Sequence, residues 1–66
     1  MYITEKLIEG LELLYIGKSF AGFKEEDPYV IFLGYDSLGW SNIWVKYKGR
    51  NIFTSIFDVA IMRKTL

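Results

Sequence analysis

The stretch Ile43-Trp44-Val45-Lys46-Tyr47-Lys48-Gly49-Arg50-Asn51-Ile52-Phe53-Thr54-Ser55-Ile56 decides how this chain folds. Two alternating runs flank a Gly-X pair, which predicts a hairpin whose two-residue loop is Gly49-Arg50, with glycine at the first central position. That loop sets Lys48 opposite Asn51, Tyr47 opposite Ile52, Lys46 opposite Phe53 and Val45 opposite Thr54. It sets Trp44 opposite Ser55 and Ile43 opposite Ile56. Successive side chains point to opposite sides of a strand. The inner set is therefore Ile43, Val45, Tyr47, Ile52, Thr54 and Ile56. The outer set is Trp44, Lys46, Lys48, Asn51, Phe53 and Ser55, with Arg50 at the tip. Both strands agree on which face is apolar, and that agreement pins the register.

Upstream, Tyr29 to Tyr35 reads as a strand apolar on both faces, as a central strand covered on both sides would be. Tyr29, Ile31, Leu33 and Tyr35 share one side, and Val30 and Phe32 the other. Gly34 near its end predicts a bulge or a bend. Asp36-Ser37-Leu38-Gly39 has the residues of a type I turn. Glu25-Glu26-Asp27-Pro28 is a second turn, and Lys18 to Lys24 reads as a short strand broken at Gly22.

Both ends read as helical. Residues 4–16 carry Leu7, Ile8, Leu11, Leu14 and Tyr15 at helical spacing, with Thr4 as N-cap, Glu5 in the first turn and Gly17 beyond the end. Gly10 weakens that helix and opens a second reading: a short helix ending near Gly10, then a strand with Leu11, Leu13 and Tyr15 on one face. At the other end Ser55 or Asp58 caps a predicted short helix from Phe57 to Lys64. The expected fold is thus α+β. It has an N-terminal amphipathic helix, a strongly bent antiparallel meander of three or four strands that could close as an SH3-like barrel, and a short C-terminal helix. All of it forms one domain over residues 1–66.

A chain of 66 residues has a modest core and correspondingly modest stability. With no Cys it has no disulfide, and with two Trp, five Tyr and five Phe it holds more aromatic surface than so small an interior hides. A homo-oligomer explains that surplus. The start lacks a basic segment followed by a clean apolar run, and no apolar run is long enough to cross a bilayer, so the expectation is a cytoplasmic protein without membrane contact. The charge sums to zero but is unevenly spread. Residues 1–36 hold seven acids and three bases, and residues 37–66 five bases and one acid. Zero net charge makes bulk binding to nucleic acid an unfavoured reading.

Absences narrow the chemistry. Without His or Cys the commonest general base, the thiolate nucleophile and ordinary zinc sites are gone, so no enzyme activity, metal or cofactor is expected. Gly34 and Gly39 have the spacing of a P-loop's outer glycines, but Trp40 stands where lysine is required. What remains is a candidate binding surface of Trp40, Trp44, Lys46, Lys48, Arg50 and Phe53. Lysine stems could simply cover its rings; its Trp and Phe could anchor a contact patch; or a ring could stack on a base while a cation meets the phosphate. The leading expectation is a small binding module acting by protein contact, on itself and on an unidentified protein. Its size suits an accessory or inhibitor protein of a phage or mobile element. The alternative is an oligomer that sequesters a small anionic nucleotide or signalling dinucleotide. The third is a binder of single-stranded nucleic acid.

Overall fold

The computed structural model describes residues 6–62. The chain forms β1 (Glu12–Tyr15), β2 (Tyr29–Asp36), β3 (Gly39–Tyr47), β4 (Arg50–Ser55) and, after a single 3-10 turn at Ile56–Asp58, β5 (Val59–Ile61). These make one antiparallel sheet in the order β4-β3-β2-β1-β5. The antiparallel sheet is as expected; the two helices are not.

The helix expected over 4–16 is replaced, within the described residues, by a turn and a strand. Gly10 sits at φ +92°, outside helical conformation, and the Leu11 N–H closes the turn on the Ile8 carbonyl. Beyond it Leu13 and Tyr15 are buried while Glu12 is exposed, a period of two. The local spacing suited either structure. The sheet decides, because β1 lies between β2 and β5 and gains a ladder on each side. The second reading therefore holds for the strand; its short helix is absent from residues 6–10, and Thr4 and Glu5 lie outside the described residues.

The expected C-terminal helix is also overturned. Ser55 does cap, its Oγ accepting from the Phe57 N–H at 3.1 Å, but what it caps is one 3-10 turn. The chain then extends, and Val59 and Ile61 fall opposite Tyr15 and Leu13 on the core side of β1. Arg63 and Lys64 lie outside the described residues. Likewise Lys18 to Lys24 is no strand: residues 16–28 are one long loop carrying Phe20 and Phe23 onto the core.

The core lies on one side of the sheet. Val30 and Phe32 of β2, Ile43, Val45 and Tyr47 of β3, and Ile56 and Val59 are buried there with Leu7, Leu13 and Tyr15. The other side of β2, expected to be covered as well, is partly open: Ile31 and Leu33 are half-buried and Tyr29 is exposed. The bulge expected near Gly34 is present, as Phe32 pairs with Val45 but Gly34 with Trp44. The extra residue switches the faces, so Tyr35 falls opposite Ile43 and its ring meets Phe32 at 5.1 Å.

Tyr15, Phe20, Phe23 and Tyr47 form a ring cluster with centroids 5.0–5.5 Å apart. The Tyr47 hydroxyl donates to the Asp27 carbonyl at 2.9 Å and accepts the Lys24 N–H at 3.0 Å. One buried side chain thus anchors the long loop at two points. No helix among the described residues is long and apolar enough to cross a membrane.

Candidate aromatic contact site

The site begins at the β3–β4 turn. Its central residues are Lys48 and Gly49, at φ +47° and +83°, rather than Gly49 and Arg50. Two positive φ values in a two-residue loop mark a type I′ turn, whose twist matches that of the strands it joins. Moving the turn back by one residue slides the pairing by two. Trp44 now faces Phe53, Lys46 faces Asn51, and Asn42 faces Ser55. A slide of two leaves the paired side chains from Ile43 to Tyr47 and from Asn51 to Ser55 on their expected faces. The register changes and the sidedness survives.

On the outer face Trp44 and Phe53 lie directly across from each other, ring centroids 5.1 Å apart. They remain 39% and 48% exposed, too open for core residues. The indole does not swing freely. Its Nε1–H donates to Asp36 Oδ1 at 3.0 Å, while Asp36 Oδ2 accepts the Leu38 N–H at 3.0 Å. One carboxylate thus closes the β2–β3 turn and orients the ring. With its N–H occupied, Trp44 presents its apolar ring surface to solvent. On the β2 side it faces Gly34, where an added Cβ would meet nothing within 4 Å. The flank of the ring is open.

Trp40 opens the same stripe at the start of β3. It is 59% exposed and meets Phe57 of the 3-10 turn edge-to-face at 5.8 Å. Phe57, 47% exposed, was not among the residues singled out from sequence. The sequence pattern places it instead in a C-terminal helix. The signal for it was present: it stands four residues after Phe53, at the strand period. Two aromatic pairs therefore line one face, with the polar Asn42 and Ser55 between them.

The expected cations do not gather there. Lys46 does lie on the outer face, between Asn51 and Ile31. Lys48 instead pairs with Asp27 of the long loop, a hydrogen bond that raises its pKa above the ordinary 10.5. Its ammonium lies 5.6 Å from the centroid of Tyr47, the ring it caps in place of Trp44 or Phe53. Arg50 falls opposite Tyr47 on the inner side and donates to the Ala21 carbonyl. Two of the three cations thus tie down the long loop. Trp40, Trp44, Phe53 and Lys46 share a face; Lys48 and Arg50 turn from it. Among the described residues no group of acids, His or Cys could hold a metal ion.

A scan against protein-family models, a search of curated proteins and a search of solved structures each found no significant match to this chain.

Proposed function

We propose that this protein is a small non-catalytic contact module whose outer β3–β4 face docks a protein partner, with a second copy of the chain as a further partner. One observation carries the reading: Trp44, with Phe53 across from it, is held in a fixed orientation by Asp36 yet left open to solvent. An exposed ring that is already ordered loses little conformational freedom on binding, which is what an anchor residue requires. The nucleotide reading, a site between subunits, called on Trp44, Lys46, Lys48 and Arg50, and of its three cations Lys48 and Arg50 are engaged by the long loop. The stripe suits an apolar protein surface better than a phosphate. The strand order and the 3-10 turn ahead of β5 support an SH3-like arrangement of the sheet, and a shared shape assigns no function.

The test is capture from the native host with two baits, the parent chain and a Trp40→Ser, Trp44→Ser double variant. Both substitutions lie outside the core, so both baits fold, as circular dichroism would verify. A protein held by the parent and lost from the double variant is the expected result. Identical capture by the two baits would remove the aromatic stripe from the function.

A further inference from the structure

We infer that β4 pairs antiparallel with β4 of a second copy, about a two-fold axis at Phe53, so that two chains join by continuing one sheet. The inference extends the reading that the outward side of this hairpin is a contact surface. It rests on the strand's backbone rather than on its rings. Among the described residues β4 is one edge of the sheet and pairs only with β3. In a two-residue type I′ hairpin the residues flanking the turn, here Tyr47 and Arg50, exchange both backbone bonds, and every second pair after them does the same. Val45 with Ile52 and Ile43 with Thr54 follow. The N–H and C=O groups of Asn51, Phe53 and Ser55 must then point away from β3. Among the described residues none of these backbone groups has a partner in a turn or loop.

Exposed edges are ordinarily blunted by proline, by outward charges or by a bulge. β4 has none of these. The chain's single proline is Pro28. The register runs without a shift from Asn42–Ser55 to Tyr47–Arg50. The only charge on the strand, Arg50, is drawn over to the Ala21 carbonyl. The opposite edge, β5, is a strand of three residues and offers a much shorter template.

Self-complementarity selects the occupant and the register. Outward backbone groups sit on residues 51, 53 and 55, so they must meet their own kind on the second strand. Only the register centred on Phe53 engages all three on both copies. It places Asn51 of one copy opposite Ser55 of the other, and Phe53 opposite Phe53 at a Cα separation of about 5.5 Å. No like charges face each other, and the chain has zero net charge to oppose association. A closed two-fold arrangement consumes both edges and stops there.

Sedimentation velocity from micromolar to near-millimolar chain tests this. The parent is expected to pass from monomer to dimer. Phe53→Lys and Phe53→Glu each place like charges on the axis and should weaken dimerisation by at least about tenfold. Mixed in equal amounts, the two variants should recover the dimer, because residue 53 meets only itself. A parent that stays monomeric throughout overturns the inference. So does a mixture that stays monomeric while the parent dimerises. A second variant guards against misfolding of the first two. Asn51→Pro deletes an outward N–H and spares the β3 ladder; it should fold and remain monomeric, and a dimer surviving in it contradicts the pairing. The Trp40→Ser, Trp44→Ser chain keeps β4 intact and should dimerise like the parent, so edge pairing and face docking fail separately.

Discussion

The two faces of the β3–β4 hairpin use aromatic residues in opposite ways. Tyr47 and Trp44 are three residues apart on one strand, and each spends its polar hydrogen on an oxygen of the chain. Tyr47 is buried to 1% exposure, its ring among Tyr15, Phe20 and Phe23 and its hydroxyl holding the long loop at Lys24 and Asp27. Trp44 is held by a surface carboxylate, and its ring packs against one other exposed ring. Ordering a side chain costs conformational freedom. For Tyr47 the core offsets that cost within the fold. For Trp44 the fold recovers less of it, about 0.5–1.5 kcal/mol from the ring pair. The inner aromatic holds the fold together, and the outer one stays open to solvent.

This contrast can be broken by mutation. Tyr47→Ala removes a buried ring and both loop anchors, and should cost about 3–5 kcal/mol. A domain of this size has little more than that in reserve, so urea denaturation should find the variant largely unfolded. If it unfolds at the parent's midpoint, the inner cluster is not what stabilises the fold.

Asp36→Ala addresses the other face. It should cost about 0.5–1.5 kcal/mol for the lost hydrogen bonds. Its larger effect is on order, since the Trp44 ring loses its tether. Time-resolved fluorescence anisotropy should show added fast motion of one indole while Trp40 is unchanged. The chain's only two tryptophans both lie in the stripe, which makes emission a clean reporter. Unchanged anisotropy would mean that packing, rather than Asp36, orders the ring.

The smallest effect belongs to the tip. Lys48→Met should change stability least of the three, because the ion pair it breaks is an exposed one. Because the Asp27 hydrogen bond raises the Lys48 pKa, its contribution is complete below the ordinary 10.5 and is lost as pH climbs through the raised value. The stability gap between parent and variant should therefore be flat across neutral pH and close only in strong alkali. A gap that opens near pH 7 would assign the tether to another group.

How much of this could be read from sequence follows from what each residue pattern leaves undecided. Strict alternation in β3 and β4 fixed the inner and outer faces, and the structure keeps them. The turn slipped by one residue because Gly49 suits either arrangement: first central residue of one primed turn, second of the other. Only the second places Lys48 in the left-handed region, a strained choice for a lysine that composition does not advertise. Leu11 and Tyr15 fit both a helical stripe with Leu7, Ile8 and Leu14 and a strand face with Leu13, and the deciding partners, β2 and β5, come from distant parts of the chain. Val59 to Ile61 was hidden for the same reason. Within the site, the rings of Trp44, Phe53 and Trp40 were legible. That Asp36 fixes Trp44, and that Lys48 and Arg50 leave the stripe for residues 21–27, depends on contacts that no local pattern encodes.

Acrylamide quenching of Trp40 and Trp44, before and after the chain engages a captured protein, tests most directly whether the outer face is a contact surface. In the dilute chain both indoles should be quenched freely. In the complex they should be shielded, with emission shifted to the blue. A stable complex in which both rings stay as open as in the dilute chain would contradict the account.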